Sequence, residues 1–97
     1  MEEKESLMKA LYEIEDSKTE VLASYEEKRM NLQSRIRKHE EEISKLGFFQ
    51  FRKKRELKER IKELQERLRY EERLMEERVR DIRRKTEELQ DKLKEFE

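Results

Sequence analysis

The chain of 97 residues contains no cysteine, no proline, no tryptophan and only one glycine. The lack of cysteine excludes a disulfide framework, thiolate chemistry and a cysteine-ligated zinc site. The lack of proline leaves Gly47 as the one residue that strongly favours the end of a helix. No apolar run approaches the roughly 18 residues of a membrane span, and the acidic N-terminus does not resemble a secretory signal. These absences predict a cytoplasmic protein without a transmembrane segment.

Charged residues make up 54% of the chain and hydrophobic residues 32%. This composition is typical of a long helix or a coiled coil, and it leaves too little apolar area for a globular core. It also occurs in disordered chains, but these do not sustain an apolar period of about 3.5 residues, as this sequence does. The 26 basic and 26 acidic side chains cancel. The whole chain therefore has no net charge to attract nucleic acid or membranes over a long range.

Apolar residues recur at alternating spacings of three and four on both sides of Gly47, which is the seam pattern of a coiled coil. Before Gly47 the predicted seam positions are Leu7, Leu11, Ile14, Lys18, Leu22, Tyr25, Arg29, Leu32, Ile36, His39, Ile43 and Leu46. After it they are Leu57, Ile61, Leu64, Leu68, Glu71, Met75, Val79, Ile82, Thr86, Leu89, Leu93 and Phe96. Each arm contains one four-residue insertion, from Leu11 to Leu22 and from Leu68 to Val79, which relaxes the supercoil locally.

The two seams have the same length and mirror each other. If the chain folds back on itself, Leu46 lies opposite Leu57, Leu11 lies opposite Leu93, and the register stays constant between these pairs. The sequence therefore predicts an all-α fold, an antiparallel two-helix coiled-coil hairpin. A long parallel dimer would use the same seam, but the apolar frame breaks between Leu46 and Leu57, which argues against it.

We predict one domain over residues 1–97, with a helix over about 3–46, a connection over 47–51 and a helix over 52–96. A lone hairpin of this kind is marginally stable, because polar residues interrupt the seam and each helix buries only one stripe. Two hairpins that pair into a four-helix bundle would bury part of a second, sparse set of apolar residues. That set is Met8, Tyr12, Ala23, Met30, Tyr70 and Leu74.

Charge also favours the pairing of the two arms, since residues 1–46 carry a net charge of −3 and residues 47–97 a net charge of +3. The cations at 78–85 are expected to lie opposite acids of the first arm, among them Glu15, Asp16 and Glu20. Exposed pairs of this kind contribute roughly 0.2–1 kcal/mol each, so they favour an orientation more than they add stability.

The connection carries an apolar cluster, and the first turn of the second helix carries a basic one. The seven residues, which we call the tip, are Phe48, Phe49, Phe51, Arg52, Lys53, Lys54 and Arg55. In one interpretation the tip is a packed turn, in which a left-handed Gly47 folds Phe48 back onto Ile43 and the phenylalanines close the end of the seam. Four cations at the positive end of a helix dipole each cost about 0.3–1 kcal/mol. Ion pairs of Arg52 with Glu56 and of Arg55 with Glu59, each four residues later in the sequence, would offset that cost.

In a second interpretation the tip binds a partner. Its cations, together with unpaired N–H groups at the start of the second helix, would bind phosphates of nucleic acid, anionic lipid head groups or an acidic protein face. Its aromatic rings would stack on bases or insert at an interface. No helix-turn-helix, zinc-finger or basic-zipper pattern accompanies the tip, so sequence-specific base readout is not indicated. The packed turn is favoured, since short apolar clusters at helix ends usually pack.

Gln50, which precedes the second helix, is a poor substitute for a capping residue.

The segment from Leu46 to Phe51, with the sequence Leu-Gly-Phe-Phe-Gln-Phe, leads into a lysine-rich helix. It resembles a corner in uncharacterised bacterial coiled-coil proteins, in which Leu-Gly-Phe-Phe-x-Phe precedes such a helix. The resemblance covers about a dozen residues and implies a recurrent helix-corner-helix unit, but no activity, cofactor or substrate.

The sequence shows no group of residues that would form an active site. His39, the one histidine, falls on a seam position opposite Leu64, where a polar residue sets the register or reaches solvent. There is no Glu-x-x-His pair, no glycine-rich phosphate loop and no Ser-His-Asp set. We therefore predict a non-enzymatic coiled-coil module, a spacer or oligomerisation scaffold, without metal, cofactor or small-molecule substrate. The expected partner is protein, through self-association or a partner helix, and the alternative is a tip that binds nucleic acid or an anionic membrane surface.

Overall fold

The computed structural model describes residues 2–97. These residues form two helices, α1 (Glu2–Lys45) and α2 (Phe51–Lys94), and no β-strand. The two helices form an all-α hairpin, which confirms the fold predicted from the seams. Helix α1 begins and ends one residue earlier than predicted, whereas α2 begins one residue and ends two residues earlier. The connection is therefore 46–50.

Charges at the two free ends of the hairpin suit the helix dipoles. The first turn of α1 contains Glu2, Glu3 and Glu5, and the last turn of α2 contains Lys92 and Lys94. Acidic groups near a helix N-terminus and basic groups near a C-terminus are each stabilising by about 0.3–1 kcal/mol. The first turn of α2 has no acidic residue, so the inner end of this helix lacks the same compensation.

The chain divides into two compact units, which we describe separately. Unit 1 consists of the beginning of α1, as far as Ser24, and the end of α2, from Leu74 onward. Unit 2 runs continuously from Tyr25 to Arg73 and contains the turn between the helices. In each unit, residues that are distant in sequence come together because the chain reverses its direction.

Most shielded side chains of α2 follow the predicted seam, and the exceptions are Lys54 and Leu74, which are half-buried off the seam. Leu57 is 2% exposed, and it is one of two buried apolar residues among the described ones; the other is Leu32, at 7%. The half-buried seam residues of α2 are Ile61, Leu64, Leu68, Met75, Val79, Ile82, Thr86, Leu89 and Leu93. Leu68, Glu71, Met75 and Val79 are all shielded, which confirms the four-residue insertion predicted there. Phe96, the last predicted seam position, is exposed.

The seam of α1 differs from the prediction at one place. Leu22 is 41% exposed and Lys18 is also exposed, whereas Val21 is half-buried. Val21 lies seven residues after Ile14 and so continues its heptad without interruption. The predicted insertion between Leu11 and Leu22 is therefore wrong, and the extra four residues fall between Val21 and Leu32. The mistake arose because Val21 and Leu22 are both apolar, and either one reaches Tyr25 at an allowed spacing.

Glu71 is a buried carboxylate on the seam of α2, within unit 2, and is only 7% exposed. Its Oε2 accepts a hydrogen bond from Lys28 Nζ of α1 at 3.4 Å. Its Oε1 lies 3.1 Å from Arg67 Nη2, one turn earlier on α2. A buried charge is tolerated only when it is paired, and here one cation comes from each helix. Both cations remain more than half exposed.

Two other polar seam residues bond within their own helix. The Arg29 guanidinium donates to Glu26 and, at 3.2 Å, to Gln33 Oε1. Its hydrogen bonds lower the pKa of the Glu26 carboxyl below the ordinary value, and the same contact raises the pKa of Arg29. The Thr86 hydroxyl donates to the Ile82 carbonyl at 2.8 Å, a bond that lets threonine occupy a half-buried helical position.

The expected ion pairs between the cations at 78–85 and the acids of α1 do not form in unit 1. Among its described residues, Arg84 pairs with Asp81 at 3.6 Å and Lys94 pairs with Asp91 at 3.8 Å, both within α2. Neighbours three residues apart on one helix surface meet without any demand on the packing between helices. Opposite net charge in the two arms therefore does not become direct interhelical pairing here.

The burial of Glu71 predicts that Glu71→Leu stabilises the hairpin by about 1–3 kcal/mol, because the desolvation penalty disappears while Lys28 and Arg67 remain hydrated. By contrast, Lys28→Met should cost about 1–2 kcal/mol, since it removes a charged hydrogen bond from a buried carboxylate. Urea unfolding followed by circular dichroism measures both changes. A loss of stability in Glu71→Leu would show that the ion pairs contribute more than burial costs.

Candidate functional site

The turn between the helices is closed twice by Gln50. Its backbone N–H donates to the Gly47 carbonyl at 3.1 Å, and its side-chain Oε1 accepts from the Gly47 N–H at 3.1 Å. The Gln50 carbonyl in turn accepts from the Lys54 N–H at 3.1 Å, the bond that opens α2. Gln50 thus occupies the N-cap position of α2, while its side chain reaches back into the turn instead of capping the helix.

Gly47 does not adopt the predicted left-handed conformation, since no residue among 2–97 has a positive φ. The end of α1 is closed instead by a tight bond of 3.2 Å from the Leu46 N–H to the Ile43 carbonyl. The Gly47 N–H is already satisfied by Gln50. The predicted left-handed Gly47 at the end of the first helix is therefore wrong.

The three phenylalanines of the tip lie in solvent. Phe48 is 77% exposed, Phe49 87% and Phe51 62%. Phe48 and Phe49 are the two central residues of the turn that Gln50 closes, so their side chains lie outside the space between the helices. The prediction that they close the end of the seam, with Phe48 against Ile43, is therefore wrong.

The exposed rings touch one another. The Phe48 ring lies 5.6 Å from the Phe49 ring at an interplanar angle of 90°, and 6.0 Å from the Phe51 ring at 67°. These are edge-to-face contacts, which aromatic rings prefer to a parallel stack. We call Phe48, Phe49 and Phe51 the aromatic cluster. A contiguous apolar patch on the surface of a small chain usually marks a contact site.

The four cations of the tip have no acidic partner. Within residues 2–97, no carboxylate oxygen lies within 4 Å of a charged nitrogen of Arg52, Lys53, Lys54 or Arg55. The predicted ion pairs of Arg52 with Glu56 and of Arg55 with Glu59 are therefore wrong. Arg52, Lys53 and Arg55 are exposed, and Lys54 is half-buried. Their cost at the start of α2 is not offset by ion pairs within the described chain.

The surroundings of the tip strengthen its positive charge. Residues 43–55 contain five cations, the four of the tip and Lys45, and no acidic residue. This is a strong local imbalance in a chain whose charges cancel overall. The turn, which the hydrogen bonds of Gln50 close, thus combines unpaired positive charge with exposed apolar rings.

Two surface cavities elsewhere in the described residues show no catalytic arrangement. One, of about 370 Å³ in unit 2, is lined by Arg35, Lys38, His39, Glu42 and Arg60. The His39 Nδ1 is shielded there without a hydrogen-bond partner. The other, of about 640 Å³ in unit 1, is lined by Glu2, Glu3, Ser6, Leu7, Lys92, Glu95 and Phe96.

Within residues 2–97 no group of three metal-ligating side chains comes together, and neither helix has a stretch long and apolar enough to cross a membrane. No known family model matches the chain, and no curated protein or solved structure is similar to it. The resemblance of the corner segment to bacterial coiled-coil proteins stays a prediction.

The role of Gln50 was missed in the sequence, although a signal exists. Gln50 stands three residues after Gly47, which is the spacing at which a glutamine side chain reaches back to a backbone N–H in a capping box. The pattern is hard to recognise here because the first residue is glycine instead of serine or threonine.

The conformation of the turn predicts that Gly47→Ala leaves the hairpin as stable as before or up to about 1 kcal/mol more stable. A Cβ at this position meets no atom within 4 Å and requires no left-handed φ, so alanine only restricts the unfolded chain. Gln50→Ala, which removes one hydrogen bond of the turn, should instead cost about 0.5–1.5 kcal/mol. Urea unfolding compares the two variants. A clear destabilisation by Gly47→Ala would indicate a left-handed glycine after all.

Proposed function

We propose that this hairpin is a non-enzymatic interaction module that binds an anionic partner through its tip. The observation that supports the proposal is the exposure of all three phenylalanines beside four cations without a carboxylate partner. The packed-turn interpretation required buried rings and local ion pairs, and neither is present. A surface that is apolar and basic at once suits a partner that offers both negative charge and apolar contact.

In this proposal the two helices serve as a scaffold for the tip. Leu57, the most deeply buried side chain, lies six residues, or about 1.7 helical turns, after Phe51 of the aromatic cluster, so the start of α2 is anchored close to the binding residues. Sites on rigid elements hold their side chains more precisely than sites on long loops. Self-association of the hairpin, its pairing into a four-helix bundle and a cytoplasmic location stay predictions from the sequence.

The proposal predicts that Arg52→Gln, Lys53→Gln and Arg55→Gln, combined in one variant, weaken binding to heparin, used as a soluble polyanion. The slope of log K against log salt concentration should fall by about three, roughly one for each lost cation. The three positions are exposed, and removing positive charge from the start of a helix does not weaken the helix, so folding stays intact. Heparin affinity at several salt concentrations measures the slope.

The matched control replaces Arg80, Arg83 and Lys85 by glutamine. These cations are also exposed on α2 but lie far from the tip in sequence, and the change in net charge is the same. The control should keep the affinity and slope of the natural chain. Equal losses in both variants, or no heparin binding by the natural chain, would contradict the proposed function.

A further inference from the structure

We propose that the anionic partner of the tip is the surface of a lipid bilayer with negatively charged head groups, into which the aromatic cluster inserts. This inference rests on the proposed function and names the partner. Three features support it: the arrangement of the rings, the order of apolar and basic residues along the chain, and the scarcity of polar side chains at the turn.

The arrangement of the aromatic cluster favours insertion into a bilayer over stacking on nucleic acid bases. Nucleic acid bases bind proteins by stacking on open ring faces presented along a groove. Here Phe48 contacts Phe49 and Phe51 edge-to-face, at interplanar angles of 90° and 67°. The rings therefore form a compact apolar group at a turn, in which ring edges contact ring faces that a base would otherwise stack on. Phenylalanine also has no polar atom that would require a hydrogen-bond partner in an apolar medium.

The apolar and basic residues follow each other in the order that a membrane interface requires. Phe48, Phe49 and Phe51 come first, and Arg52 to Arg55 follow directly along the start of α2, which begins at Phe51. The rise from Phe51 to Arg55 is about 6 Å, which is comparable to the depth of roughly 5–10 Å at which interfacial groups lie below the head groups. With the rings below the phosphates, the cations would lie at phosphate level.

The turn has few polar side chains that could recognise a base or a particular protein side chain. The only polar side chain in the connection 46–50 belongs to Gln50, and its Oε1 already accepts the Gly47 N–H. Specific readout needs polar groups placed to bond with the ligand. A bilayer needs only apolar area and positive charge. Stable attachment to membranes typically combines these two signals.

The test uses the full chain with vesicles of phosphatidylcholine that contain about one third phosphatidylserine, and with vesicles of phosphatidylcholine alone. The natural chain should sediment with the anionic vesicles and much less with the neutral ones. Replacing Phe48, Phe49 and Phe51 together by serine should lower the partition coefficient at least about tenfold, the factor expected for one buried phenylalanine. The variant with glutamine at 52, 53 and 55 should lower it roughly 100-fold, about fivefold for each cation.

The matched control for the rings replaces Met8, Tyr12 and Met30 by serine. These apolar side chains are exposed like those of the tip, but they lie on α1, away from the turn. The control should therefore partition like the natural chain. Insertion is observed directly with Phe49→Trp, because the natural chain contains no tryptophan. Its emission should shift to shorter wavelength and be quenched by brominated lipid, whereas that of Tyr12→Trp should not.

The outcomes separate this inference from the proposed function. If heparin binding depends on the tip cations but the chain does not bind anionic vesicles, the lipid inference is wrong and the proposed function stands. The same holds if the serine variant of the rings loses binding to single-stranded poly(U) RNA but partitions normally into vesicles, which would identify nucleic acid as the partner. If Phe49→Trp binds vesicles but its tryptophan emission does not shift to shorter wavelength, insertion of the aromatic cluster is also contradicted. A chain that binds neither heparin nor vesicles would contradict both.

Discussion

Two packed helices shield one stripe of side chains each, and this limit determines which residues of the hairpin are buried. Among the described residues, only Leu32 and Leu57 are buried apolar side chains. Most other seam residues are half-buried, because solvent reaches the flanks of any helix pair that has no third element beside it. The aromatic cluster follows from the same limit. Rings at the turn have no second layer to pack against, so they remain in water unless a partner covers them.

The polar seam residues show how a narrow interface accommodates charge. Arg29 turns to partners on its own helix, and Thr86 bonds to the backbone four residues earlier. Glu71 is the exception, since it is buried and joins both helices through Lys28 and Arg67. Its ion pairs define one register for the helices of unit 2, while the carboxylate occupies a position where leucine would bury more apolar area. The hairpin thus combines a modest core with a few directional contacts.

The sequence predicted the fold well because a coiled-coil seam is a periodic signal that many residues share. Along α2 the apolar spacing from Leu57 to Leu93 agrees with the shielded positions, including the insertion before Val79. The prediction failed where two apolar neighbours compete for one position, as with Val21 and Leu22. It also failed at the turn, since the path of 46–50 depends on hydrogen bonds of Gln50 that no periodicity reveals. The composition of the tip was evident in the sequence, but its exposure was not.

The chain reverses its direction at 46–50, and this reversal leaves the tip outside the helix pair. Because the natural chain has no cysteine, spin labels on cysteines introduced at Glu13 and Asp91, two exposed positions of unit 1, report their distance without background. Dilution with unlabelled chain restricts the measurement by double electron-electron resonance to single molecules. We predict a separation below about 30 Å, since packed helix axes lie about 8–10 Å apart. A separation near the roughly 120 Å of an unbroken helix would contradict the account.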